Sequence, residues 1–175
     1  VCLSNTQKRV LYRNRFWARK TNVINVGIDL AIFSPVDQLT RASIRQEFGW
    51  KPNEFILGCV AHLVPVKGHK DLIEAFAQVR QRYSHVRLVL VGGGTTEYEA
   101  ELLAQIERNG LSTRIELLGV RYDIPKLMQG FDGFILASRK EAFGTVLVEA
   151  MATELPVIAT RSGGPEDIVV PGETG

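Results

Sequence analysis

The run Phe55-Ile-Leu-Gly-Cys-Val-Ala61 decides the fold, because it is apolar without interruption and only as long as a strand. A strand with one wet face alternates apolar and polar residues; a continuous run of this length implies burial on both faces. A helical pattern follows through Asp71–Val79, with Leu72, Ile73, Phe76 and Val79 at helical spacing. The same alternation then repeats. Arg87–Val91 reads as a second strand, and Glu97–Asn109 as a helix opened by a capping pair, Thr96 and Glu99, and closed by Gly110. Arg114–Leu118 is a third strand. Asp123 is expected to cap a short helix with Pro125 in its first turn. Gly133–Ala137 leads into a helix over Thr145–Ala152, and Leu155–Thr160 is the last clear strand. Strands that are each followed by a helix form a parallel sheet covered on both faces, an α/β Rossmann-like sandwich. Its ligands belong beyond the carboxyl ends of the strands.

Size and composition agree with one ordinary domain. The 175 residues are 45% hydrophobic and 23% charged, and no apolar stretch approaches the roughly 20 residues of a membrane span. No secretory leader is expected, since no apolar run and cleavage site follow the basic start. Cys2 and Cys59 lie far apart and imply neither a disulfide nor, with His62, His69 and His85, a metal site. The net charge of +2 is uneven: residues 1–20 carry six basic and no acidic side chains, leaving 15 basic against 19 acidic in the remainder. This basic segment, with Tyr12, Phe16 and Trp17, is read either as a membrane- or nucleic-acid-touching surface or, preferably, as part of a neighbouring domain. Val23-Ile24 reads as a short strand, and Ile28–Pro35 as an extended connection. Both ends of the chain are expected to be cut from a longer protein.

The strand ends carry the candidate chemistry. Gly92-Gly93-Gly94 lets the backbone turn tightly and offers N–H groups ahead of a helix; the plainer reading is a tight turn alone. It has neither the dinucleotide spacing nor a P-loop lysine. Lys67-Gly68, after the first strand, places a cation where it could neutralise a phosphate, against the commoner alternative of a solvated lysine. Ser138–Glu149 holds two acids, Glu141 in a loop and Glu149 inside an apolar helix. Between them, the amides from about Gly144 to Val146 point out of the helix start. Glu149 is either met by ligand hydroxyls or lies on the one solvated stripe of its helix; the helix pattern does not choose. Arg161-Ser-Gly-Gly164 and Pro165-Glu166 add another glycine loop.

Taken together, these residues resemble glycosyltransferase family 4, retaining enzymes of GT-B fold. The Glu141-to-Glu149 spacing, its Phe-Gly and Glu-Ala-Met-Ala interior, Val60–Lys70, Leu90–Gly94, Leu117–Val120 and Ser162–Glu166 match in order over residues 22–175. The resemblance implies the C-terminal, donor-binding half of such an enzyme, with residues 1–21 from the hinge or preceding domain. It implies that Lys67 binds the donor diphosphate and Glu149 the ribose. Glu141 would hold the transferred sugar, and the amides of Phe143, Gly144 and Thr145 would touch phosphate or sugar. Gly93, with the backbone of Val120 and Arg121, would edge the rest of the nucleotide. Lys67 and Glu141 are the catalytic candidates. His62 stands where the family usually has arginine, and Asn25-Val26-Gly27 replaces a usual Pro-Asn-Gly turn. No metal or cofactor is expected; the donor would be a UDP, GDP or ADP sugar, and no nucleic acid is implied. The expected function is retaining transfer of a sugar to an acceptor glycan or glycolipid, in cell-envelope polysaccharide synthesis. This would take place in the cytoplasm or at the inner face of the cytoplasmic membrane, with peripheral membrane contact. The domain alone would be inactive without its N-terminal partner domain. A GT-B epimerase, a sugar-polymer synthase and a non-catalytic nucleotide-binding module are the alternatives.

Overall fold

A computed structural model of the chain describes residues 2–11 and 21–175. The aromatic and most of the basic residues of the N-terminal segment, from Tyr12 to Lys20, therefore lie outside the described residues. Helix α1 spans Asn5–Leu11 and α2 Gln38–Glu47. The α/β alternation follows: β1 Phe55–Val60, α3 His69–Arg82, β2 Val86–Val91, α4 Thr96–Arg108, β3 Ile115–Leu117, α5 Ile124–Gly130, β4 Gly133–Leu136, α6 Thr145–Ala152 and β5 Val157–Ala159. Short 3-10 turns occupy Pro65–Lys67 and Gly164–Asp167. The strands form one parallel sheet in the order β3-β2-β1-β4-β5.

Along the interior strand β2 both faces of the sheet are dry from Leu88 to Val91, as its unbroken apolar run requires. Leu88 and Leu90 join Cys59, Leu72, Ile73, Phe76, Leu102 and Ile106 under α3 and α4. Their neighbours Val89 and Val91 point the other way, onto Ile56, Leu127, Met128, Phe131, Phe134, Leu147 and Ala150 under α5 and α6. Gly58 is small for a reason: a Cβ there would sit 2.1 Å from the Phe131 ring. Burying that ring contributes about 2–3 kcal/mol.

Several local expectations are corrected. The α4 cap is Thr95, whose hydroxyl accepts from the Tyr98 amide at 3.3 Å, while Glu99 accepts from Gly94 N at 2.8 Å. The capping pair is thus displaced from Thr96 by one residue. Asp123 precedes α5 but makes no cap bond, because Arg121 takes its carboxylate at 2.9 and 2.6 Å. The segment over Ile28–Pro35 is not extended throughout: Asp29 turns it, accepting from Ala31 N at 2.9 Å through its side chain and from Phe33 N at 3.0 Å through its carbonyl. Val23 forms a single parallel bridge with Cys2 rather than a strand.

Helix α2 has no counterpart in the sequence reading. It docks through charge. Arg41 and Arg45 bind the two oxygens of Asp132 at 2.6 and 2.7 Å, and Ile56 N donates to the same carboxylate at 2.7 Å. Burial pushes Asp132 up, but that amide and the two guanidiniums more than offset it and hold the carboxyl below its usual range.

Candidate functional site

The strand order reverses between β1 and β4: β1 is followed by α3 on one face, β4 by α6 on the other. Such a switch point opens a crevice at the carboxyl ends of the strands. Lys67 follows β1 and Glu141 follows β4, and the two meet across the switch point. Lys67 Nζ donates to Glu141 Oε2 at 2.6 Å, with the two side chains 23% and 12% exposed.

Backbone contacts hold the loops of the rim together. Gly92 N donates to Gly119 O at 2.8 Å, Leu63 N to Gly93 O at 2.9 Å, Arg139 N to Val66 O at 2.8 Å and Glu141 N to Ser162 O at 2.8 Å. Glycine is obligatory at the second of these loops. Gly68 has φ +72, and a Cβ there would lie 2.0 Å from the Ala137 carbonyl oxygen. The approach of the Lys67 loop to the end of β4 depends on it.

Gly144, with φ +95, is the N-cap of α6, and buried Phe143 precedes it. The first amides of α6, from Thr145, therefore open beside Glu141, whose Cγ lies 3.5 Å from a Cβ built at Gly144. Glu149 is one turn further in and half-buried. Burial pushes its carboxyl up, and no hydrogen bond or ion pair from a described residue reaches it. Gly93 O accepts from the amide of Leu63, the neighbour of His62 in the chain. Val120 is 63% exposed, and its Cγ2 lies 2.6 Å from a Cβ built on Gly93. Arg121 turns back to Asp123 and lies 5.5 Å over the Phe48 ring, so its guanidinium is committed.

One hydrogen-bond partner of Glu141 escaped the sequence reading. Ser138, fully buried, donates to the same Glu141 Oε2 at 3.1 Å. Its place at the end of β4, three residues before Glu141, was the available signal. Cys59 is pushed up to about 12 by burial and is unreactive. Among the described residues no group of three or more His, Cys, Asp or Glu could hold a metal, and no helix is long and apolar enough to cross a membrane. Two hollows, of 620 and 660 Å³, lie between α3 and α4 and beneath α2; neither is lined by Lys67, Glu141 or Glu149.

Residues 40–175 match the sequence profile of the glycosyl transferases of group 1. The chain belongs to this family. EpsD of Bacillus subtilis, a putative glycosyltransferase, is 33% identical over 157 residues, which cover 90% of the chain and 41% of EpsD. Anabaena HepE, solved in complex with UDP and glucose, superposes with a TM-score of 0.89 at 34% identity, over 98% of this chain and 46% of HepE. The C-terminal domain of the group 1 glycosyl transferase LpcC from Francisella tularensis superposes with a TM-score of 0.76 at 30% identity, over 85% of this chain and 78% of that one. The chain spans about two fifths of the length of the curated relatives it matches. It is thus a Rossmann-like domain of the GT-B glycosyltransferases, with the Lys67–Glu141 pair at its topological switch point.

Proposed function

We propose that the chain is the C-terminal donor-binding domain of a retaining family 4 glycosyltransferase. Its donor is a nucleoside-diphosphate sugar, and its acceptor a glycan or lipid-linked glycan. The observation that carries this reading is the Lys67–Glu141 pair and the open start of α6 beside it at one switch point. Complexes of the similar HepE with UDP-glucose and with UDP support a nucleotide-sugar donor.

In this reading Lys67 holds the diphosphate and the amides of Phe143, Gly144 and Thr145 touch phosphate or sugar, with His62 and Gly93 beside them. Half-buried Glu149 receives the ribose hydroxyls, which recover part of the desolvation its carboxylate suffers. Glu141 accepts from hydroxyls of the transferred sugar, held by Ser138 once Lys67 turns to phosphate. Val120 and Arg121 edge the base through their backbone. The C1–O bond breaks with its electron pair passing to the diphosphate, whose growing charge Lys67 and the amides stabilise. The acceptor oxygen bonds C1 from the same face, beside the departing phosphate oxygens, which are the nearest base for its proton. Configuration is retained. The acceptor site belongs to an N-terminal domain to which residues 1–21 lead, so this domain alone binds donor without transferring it. The reaction is assigned to the cytoplasm or the inner face of the cytoplasmic membrane.

Calorimetry of the chain with UDP, GDP and ADP, each with and without its sugar, tests this reading. One nucleotide is expected to bind, and Lys67→Ala and Glu149→Ala to weaken it about tenfold or more, the worth of one charge-assisted hydrogen bond. Unchanged affinity in both variants would reject the assignments.

A further inference from the structure

The segment 2–11 is tied to the candidate site by a carboxylate 161 residues away in sequence. Asp167 Oδ2 accepts from the amides of Asn5 and Thr6, the latter at 3.2 Å, and Oδ1 accepts from the Thr6 hydroxyl at 3.3 Å. The same segment is fastened to the linker: Cys2 N donates to Asn22 O and Ile24 N to Cys2 O, both at 2.9 Å.

Asp167 closes the 3-10 turn Gly164–Asp167, and that turn has no slack against the acid loop. Glu141 pairs with Gly163 in a parallel bridge, and Gly164 N donates to Glu141 O at 2.9 Å. A Cβ on Gly164 would lie 2.3 Å from Phe143 Cα, and one on Gly163 would lie 2.7 Å from Glu141 O. Glu166 fixes the loop from within, accepting from Gly163 N at 2.8 Å and Ser162 N at 3.2 Å. A displacement of Asp167 is therefore passed to the backbone of Glu141 and Phe143, while Lys67 stands on a separate loop after β1.

We propose that Asp167 is a positioning residue for the sugar end of the donor site, transmitting the position of residues 2–11 and the linker to Glu141. The inference rests on the donor reading given above for its ligand consequence, but its mechanical part does not. The bond can be cut from either side. Asp167→Ala removes the acceptor. Asn5→Pro removes a donor N–H at the first residue of a helix, where proline is tolerated.

Amide hydrogen exchange and calorimetry with UDP and UDP-glucose, on the 175-residue chain, test the proposal together. Asp167→Ala is expected to speed exchange at the Glu141 and Gly164 amides about tenfold, Asn5→Pro, which leaves both Thr6 donors, by less, and both to leave the β1 and β2 amides unchanged. UDP-glucose should bind about fivefold to tenfold more weakly, and UDP less than about twofold. The double variant should be no worse than Asp167→Ala, since both cut the same link. Asp167→Asn, which keeps one acceptor oxygen, should fall between. Uniformly faster exchange, equal loss of both ligands, or additive effects would overturn the proposal and leave Asp167 a purely structural residue. Failure of the unmodified chain to bind UDP or UDP-glucose would instead count against the UDP form of the donor reading, with the exchange result still deciding the coupling.

Discussion

Glu141→Gln is expected to move the affinities of two related ligands in opposite directions. Lys67 is held by Glu141 Oε2 at 2.6 Å, with both side chains largely out of solvent. A diphosphate must take the ammonium away from that carboxylate and then lie beside the anion it has stripped. Glutamine removes the competing charge and the repulsion, keeps the shape, and leaves the Ser138 hydroxyl an oxygen to donate to. Exposed pairs are worth about 0.2–1 kcal/mol, and this pair belongs at or above the upper end, so UDP should bind roughly fivefold more tightly. The sugar nucleotide additionally loses hydrogen bonds from its hydroxyls to a charged acceptor, about 1.5–3 kcal/mol, which exceeds the gain. UDP-glucose should therefore bind more weakly by about threefold or more. Calorimetry of both ligands at two salt concentrations is the assay, and the gain for UDP should shrink as salt rises. Unchanged or weaker UDP binding would show that Glu141 does not compete for Lys67. A parallel tightening of UDP-glucose would show that the carboxylate does not receive the sugar.

Two further substitutions follow from buried titratable groups. Glu149 is pushed up by burial, so the folded chain holds its proton to higher pH than the unfolded chain does. The resulting destabilisation is absent at acid pH and fully present above the folded pKa. Glu149→Gln should accordingly raise the melting temperature by about 2 °C at pH 7 and by nothing at pH 4, in thermal scans at both values. His69, only 1% exposed, is pushed down to about 4, first by burial and then by the Lys67 charge. The Val64 backbone opposes that shift, yet neither ring nitrogen finds a partner in hydrogen-bond geometry. A depressed histidine contributes stability that is lost as pH falls from about 6.5 towards 4, so His69→Phe should flatten the denaturant midpoint over that interval, and an unchanged slope would refute it.

The sheet was legible because its central strands are largely dry on both faces. Leu88–Val91 and Ile56–Val60 carry their own burial in unbroken apolar runs, and the glycines after them mark where the chain turns. Helix α2 was not legible because its ten residues bury only Ile44 and Arg45; it is placed by Arg41 and Arg45 on Asp132, a tie across some ninety residues that leaves no periodic trace. The caps failed for a related reason. Asp123 has the sequence of a helix cap, but Arg121, two residues earlier, offers its carboxylate a stronger partner. At the site, residue types at strand ends named Lys67, Glu141 and Glu149. Their partners, Ser138 for Glu141 and the absence of any described partner for Glu149, required coordinates. Asp167 was invisible altogether, since nothing in Gly-Gly-Pro-Glu-Asp says that its last carboxylate reaches residues 5 and 6.

The strand order also lines the site candidates up in space in the order that the proposed reading needs, base, diphosphate and sugar, although the chain visits them in a different order. From the edge the order is β3, β2, β1, β4, β5. Val120 follows β3, Gly93 follows β2, Lys67 follows β1 and Glu141 follows β4. Strands lie about 4.8 Å apart, so the span from the β3 end to the β4 end is roughly 14 Å, with the cation near two thirds of the way along. A lone sugar or a lone phosphate cannot touch both ends of that line. A linear ligand with its charge between two uncharged ends can, and in the proposed orientation its sugar end lies at Glu141, in the loop that Gly164 and Asp167 hold. Substitutions on the β4–β5 side should thus separate sugar nucleotide from nucleoside diphosphate, whereas substitutions at Lys67, where the charge sits, should weaken both.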